Sequence, residues 1–205
     1  MKNRVLIISL LVIIVATVSF KVYKNCVTMK DPRDGKIYKV VKIGKQTWMA
    51  QNLNFETKDS YCYSDAPFNC EKFGRLYTWD AAMTACPPDW HLPSMAEYDM
   101  LFRTVFGKKS TFGGEEDEKT EMIRSTSGWW HGGNGTDSFG FSAMPAGHRN
   151  RTGNYDYRGK VAFFWSFLDD ECACERYIFF SYDVEFSKIT KFGKDEAFSV
   201  RCVKD

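Results

Sequence analysis

The sequence has no concentrated basic face. Its 28 Lys and Arg stand against 26 Asp and Glu, for a net charge of +2, so nucleic acid is not an expected partner. It has no internal repeat, and 205 residues read as one domain plus a targeting segment. No second Cys/His pair of zinc-site spacing accompanies Cys172 and Cys174 in "DECACE". A soft-metal site there therefore yields to the plainer reading, an oxidised loop pair. No Cys–His arrangement can be assigned either, which argues against a nucleophilic cysteine.

What is present is apolar bulk: 44% hydrophobic and 16% aromatic residues, ample for a packed core. Lys2 and Arg4 precede the uncharged run "VLIISLLVIIVATVSF", Val5 to Phe20. As a helix this run spans about 24 Å, short of the roughly 30 Å hydrocarbon core, and Val22 and Tyr23 extend it while Lys21 snorkels. A basic start followed by an apolar run predicts export, with residues 1–25 as signal anchor or signal peptide. No A-x-A-like site follows, and Cys26 lacks the small-residue context of a lipoprotein cysteine, so an uncleaved anchor is preferred to cleavage. The positive end should stay cytoplasmic. The body is then outside, in the envelope or secreted if the segment is cleaved, where its cysteines can pair.

Residues 26–33 read as a linker. Ile37 to Ile43, a turn at Gly44-Lys45, and Gln46 to Ala50 predict a strand pair. "TWDAAMTAC" puts Trp79, Ala82, Met83 and Cys86 on one face of a short helix, stopped by Pro87 and Pro88. Ser94 with Glu97 makes a capping box for a second helix. Tyr98, Leu101, Phe102 and Val105 form that helix's apolar face and Gly107 closes it. Residues 108–121 read as a loop. "RYIFFSYDVEF", "SKITKF" and "AFSVRCVKD" read as an antiparallel meander. The whole is an α+β pattern with two helices.

Connectivity is not fixed by sequence. Cys62 with Cys70, flanking a turn as a hairpin staple, and Cys86 with Cys202 are preferred because each pair closes an element junction.

The blocks "DGKIYKVVKIGKQTWMAQNLNF", "YCYSDAPFNCEKFGRLYTWDAAMTACPPDWHLPSMAEYDML", "STSGWWHGGNGTDSFGFSAMPAGHRN", "FFWS" and "FSVRCVKD" resemble the Fibrobacter succinogenes major paralogous domain over residues 34–205. The resemblance implies an exported, surface-attached bacterial protein of unestablished biochemical role. More distantly, "HLPSMAEYDML" and "FSVRCV" are similar to blocks of the formylglycine-generating sulfatase-modifying family. That likeness implies a C-type-lectin-like fold with first and last strands brought close. The copper-binding cysteine pair of those enzymes has no counterpart, so a non-enzymatic role is expected and activity is not carried over.

Ligand contacts in such folds come from the loops between later strands, here about Gly128 to Asp170. Trp129, Trp130 and His131 are adjacent and cannot all face one core, so at least one ring is expected outside. Exposed rings stack on sugar faces while polar groups bond the hydroxyls. Asn134, Asp137, His148, Arg149, Tyr155 and Tyr157 are the candidates for the second task. The competing reading makes Trp129 and Trp165 core, and Asn134 and Asp137 turn residues. Asn134, Asp137, Asp169, Asp170 and Glu171 carry oxygens of the kind calcium takes, but the C-type-lectin calcium signature is absent, so no cofactor is expected. His91 reads as a corner residue. The expected role is a membrane-anchored binding module for carbohydrate or another surface ligand. An envelope assembly component is the alternative.

Overall fold

The computed structural model describes residues 27–107, 118–168, 175–181 and 192–205. The apolar run Val5–Phe20, Cys26, Asp169, Asp170, Glu171, Cys172 and Cys174 lie outside them. Among the described residues no helix is long and apolar enough to cross a membrane.

The described residues open with β1 (Val27–Lys30), β2 (Ile37–Ile43) and β3 (Gln46–Met49). The β2–β3 turn falls on Gly44-Lys45, with Ile43 opposite Gln46, and Gly44 takes a φ of 60° that glycine adopts without strain. β1 lies inside the segment read as a linker. It pairs antiparallel with β2, Val27 opposite Val40, and just beyond it Arg33 reaches the end of a distant helix.

That helix, α2 (Trp79–Ala85), follows β4 (Ser60–Tyr61), α1 (Pro67–Phe73) and β5 (Leu76–Tyr77). Its last carbonyls have no intrahelical partners, and the prolines that follow offer no N–H. Arg33 fills the gap, donating to the carbonyls of Ala85 at 2.8 Å and Cys86 at 3.1 Å. Asp31, fully buried, holds the guanidinium in place at 2.7 Å. The buried face of α2 is Trp79, Ala82 and Ala85. Met83, expected on that face, is 41% exposed, because the short helix turns Ala85 inward instead.

β6 (Trp90–His91) leads to α3 (Met95–Phe106). Ser94 and Glu97 form the capping box, and Tyr98, Leu101, Phe102 and Val105 are buried. Gly107 ends the helix in the left-handed region at φ 74°. Residues 118–122 make a 3-10 turn where a loop was expected. Then come β7 (His148–Arg149), β8 (Tyr155–Asp156), β9 (Val161–Phe167), β10 (Glu175–Ser181), β11 (Phe198–Ser199) and β12 (Val203–Lys204).

Among the described residues two five-stranded sheets result, ordered β1-β2-β3-β12-β6 and β10-β9-β11-β5-β4, beside the small β7–β8 pair. β9 reads VAFFWSF and is buried along nearly its whole length. A strand covered on both faces needs no polar alternation. β10 pairs with it antiparallel from Glu175 to Ser181. Tyr182 to Phe186 of "RYIFFSYDVEF" and Ser187 to Lys191 of "SKITKF", expected in the terminal meander, lie outside the described residues, and the last part of the chain departs from a meander. β11 lies parallel to β9 and antiparallel to β5, and β12 crosses into the other sheet, between β3 and β6. The segment Phe198 to Lys204 thus stitches the two sheets together. β1 and β12 share a sheet but are separated by β2 and β3.

Both preferred disulfides are present, Cys62–Cys70 and Cys86–Cys202. The first does not staple a hairpin. Cys70 lies in α1, a third helix, which starts with Pro67 at its first turn, where a missing N–H costs nothing. Gly74 ends it, and a Cβ there would meet the Leu53 carbonyl at 2.8 Å. The fold is therefore mixed α+β, with three α-helices among the described residues.

Candidate functional site

The adjacent tryptophans divide as their chemistry requires. Trp129 is 5% exposed. Its indole N–H donates to Ser125 Oγ at 3.0 Å and its backbone N–H to Asn134 Oδ1 at 3.1 Å. Trp130 is 48% exposed. Its backbone N–H donates to the Gly159 carbonyl at 2.8 Å, and its indole lies flat against that glycine, where a Cβ would meet Nε1 at 2.4 Å. Lys160 Nζ lies 5.9 Å from the Trp130 ring and His131 meets it edge-on at 6.5 Å. An apolar ring is thus held outside on a glycine seat. Nearby, Tyr157 is 37% exposed, with its ring edge on His148 at 5.4 Å.

The other expected contacts do not converge on Trp130. Asn134 spends its side-chain oxygen on Trp129. Asp137 Oδ1 accepts from the Ser142 N–H at 2.7 Å and so closes a turn. Trp165 is core, donating to the Tyr77 carbonyl at 2.6 Å. Among the described residues no group of three or more His, Cys, Asp or Glu side chains is placed to hold a metal ion. Arg149 and Tyr155 join a separate stack: the Arg149 guanidinium lies 4.0 Å from the Tyr61 ring, Tyr155 packs on Tyr63 at 5.2 Å, and Tyr155 donates to Asp65 at 2.5 Å. Tyr61, Tyr63 and Arg158, whose guanidinium is 4.9 Å from the Tyr63 ring, were not legible as part of this group, because they come from stretches far apart in sequence.

His148 is 3% exposed, ringed by Tyr157, Phe163, Phe192 and Phe198. Burial pushes its pKa down to about 4 and raises that of Glu196. Both groups are driven toward their neutral forms, so their 3.9 Å approach is not a strong ion pair. His91 behaves oppositely. Burial lowers its pKa, but hydrogen bonds with Asp205 at 2.5 Å and Glu97 at 2.8 Å outweigh burial and raise it.

The two histidines predict opposite pH responses. The unfolded chain takes up the His148 proton near 6.5, the folded chain only near 4, so acidification through that window favours unfolding, by about 2 kcal/mol at pH 5. The His91 contribution is complete below 6.5 and is lost as pH rises through its folded pKa. Thermal melts from pH 7 to 5 should therefore show a smaller acid loss in His148→Phe and a larger one in His91→Gln. Parallel pH profiles for both variants and the parent would overturn this assignment.

A groove of about 950 Å³ runs between β2, residues 50–54, the end of α1 and residues 137–144. It was not legible in the sequence, since it is assembled from segments as far apart as Val27 and Met144. Met144 lines it and also lies 3.5 Å from where a Cβ on Gly128 would sit, two residues before Trp130.

The sequence profile of the Fibrobacter succinogenes major domain matches residues 41–204. The chain belongs to this family. The match runs from within β2 to β12, and so includes the Trp130 seat, both disulfides and the part of the groove beyond residue 40. No curated protein and no solved structure matches the chain.

Proposed function

We propose that this Fibrobacter succinogenes major domain protein is an exported, membrane-anchored, non-catalytic binding module with a C-type-lectin-like fold, and that its ligand class is carbohydrate. The observation that carries the reading is Trp130, nearly half exposed and seated on Gly159. A ring fixed in the open presents a flat apolar face without the entropy cost of ordering it on binding. Two disulfides suit an oxidising, extracytoplasmic setting. The uncharged run Val5–Phe20 supports the anchor. The lectin-like reading draws on two stitched sheets and on a bridge from the end of α2 to the last strands.

The test is a glycan and polysaccharide binding screen with the oxidised protein. A selective hit should weaken at least about tenfold in Trp130→Ala, the loss typical of a stacked aromatic anchor, with the melting temperature little changed because the ring is half exposed. A blank screen with folded protein would sink the carbohydrate assignment and turn attention to protein assembly in the envelope, with cross-linking in cells as the next step.

A further inference from the structure

We infer that the outer edge of β1 is a docking site for an extended acidic stretch of a partner protein, which joins the first sheet as an added strand. The inference concerns a surface other than the Trp130 seat and does not depend on the carbohydrate reading.

The hydrogen-bond register shows which groups are open. β1 pairs with β2 on one side and, among the described residues, with nothing on the other. Lys39, opposite Thr28, turns its backbone away from β1. Its N–H donates to Gln51 Oε1 at 2.8 Å and its carbonyl accepts from the Ala50 N–H at 2.8 Å. The Asp31 N–H, by contrast, donates back across the connection to the Lys36 carbonyl at 2.8 Å. Opposed residues of an antiparallel ladder alternate between bonded and unbonded pairs. Val27 and Met29 therefore bond to Val40 and Tyr38, while Thr28 and Lys30 turn their N–H and C=O groups outward. Donor and acceptor then repeat at the spacing an extended peptide backbone presents.

Charge says what kind of peptide fits. β1, β2 and β3 carry Lys30, Lys39 and Lys42 and no Asp or Glu. The carboxylates of the β1–β2 connection are already taken, Asp31 by Arg33 at 2.7 Å and Asp34 by Lys36 at 2.7 Å. Directly opposed side chains share a face, and faces alternate along each strand. Thr28 with Lys39 and Lys30 with Ile37 thus form one exposed face beside the edge, and Lys42 belongs to the other. Residues of an added strand opposite Thr28 and Lys30 lie on the face that holds Lys30 and Lys39, where carboxylates make cross-strand pairs. The alternate residues lie on the face of Val27, 58% exposed, and of partly buried Met29, and apolar side chains suit them.

A second copy of this chain is a poor occupant. Antiparallel pairing of β1 with itself sets Lys30 and Lys39 of one copy beside those of the other, and like charges across strands repel.

The full-length protein, in mild nonionic detergent, is titrated with the peptide Pro-Glu-Val-Glu-Val-Glu-Pro, its counterpart with Lys for Glu, and a backbone N-methylated form of the acidic peptide. The acidic peptide should bind about three- to tenfold more tightly than the basic one, weaken with salt, and slow amide hydrogen exchange at Thr28 and Lys30. Lys30→Glu/Lys39→Glu, at exposed positions, should reverse the charge preference. Thr28→Pro removes an outward N–H from an edge strand, where proline is tolerated. It should melt close to the parent and lose the peptide. Binding that survives both backbone methylation and Thr28→Pro overturns the inference, because charge alone then accounts for it. So does protection of the two amides in nanodiscs containing phosphatidylglycerol but not by the peptide, which makes the basic face a membrane contact. No binding of any peptide overturns it as well. Each of these results leaves the glycan screen and its reading of Trp130 untouched.

Discussion

Cys202→Ser should melt about 10–20 °C below the parent protein under oxidising conditions. Cys86 and Cys202 are 116 residues apart in sequence, and in the chain-entropy account closing a loop of that length contributes about 4.9 kcal/mol. Each kcal/mol moves the melting temperature of a domain this size by about 2–4 °C. The position of the bridge adds to its weight. Cys86 caps α2, whose carbonyls Arg33 covers, and Cys202 sits in the segment that leaves the second sheet and enters the first. The bond ties a helix end to the stitch between the sheets. The double variant Cys86→Ala/Cys202→Ala should show a similar loss, and in it a reductant should cost only what remains, about 2.5 kcal/mol for the short Cys62–Cys70 loop. Differential scanning calorimetry of parent and variants, oxidised and reduced, measures both steps. An unchanged oxidised melt in Cys202→Ser would show that the bridge does not constrain the unfolded chain as this account requires.

Features whose cause is local were legible before any coordinates. The capping box needs only Ser94 and Glu97 three residues apart, and the β2–β3 turn needs only Gly44 between the β-branched run Ile37–Ile43 and the returning segment from Gln46. The split between Trp129 and Trp130 followed from adjacency alone, since neighbouring rings point apart. Features whose cause is distant were not legible. "AFSVRCVKD" has the alternation of strands, but nothing in it says that Phe198 pairs with Tyr77 and Val203 with Trp48, so a meander was the simplest expectation. α1 was hidden for a different reason. Its "PFNCEKF" is too short for a helical period and begins on the proline of an Asp-Ala-Pro that reads as a turn. Of the expected site residues, those with short polar side chains in turns, Asn134 and Asp137, went to satisfying backbone N–H groups, their commonest duty. The Trp130 seat depends on Gly159, and the groove on segments from Val27 to Met144. Neither leaves a mark within one window of sequence.

Arg201 shows how far a long-range cause can reach. It is fully buried and charged at neutral pH, although burial lowers its pKa to about 10. The guanidinium donates to the carbonyls of Met49 at 3.1 Å and Phe141, besides Asn52 and Ser142, and lies 4.5 Å from the Phe141 ring. Hydrophobic replacement of a buried ion pair can be neutral when both partners leave together. Three of these acceptors are backbone carbonyls, which no substitution removes. Arg201→Met should therefore strand acceptors in the interior and destabilise by about 3–5 kcal/mol. Arg201→Lys should recover only part of this, because a point ammonium does not span a fork that reaches four acceptors on two chain segments. Urea unfolding of the parent and both variants reads the order directly, as parent above Lys above Met in midpoint at constant slope. The same variants should loosen the groove, since Asn52 and Ser142 lose the group that fixes them, and amide hydrogen exchange at residues 50–54 and 140–143 should rise ahead of exchange in β9. If Arg201→Met matches the parent in midpoint and in exchange, the arginine is not what holds these segments together. The floor of the groove would then be set by Cys202 and the core alone.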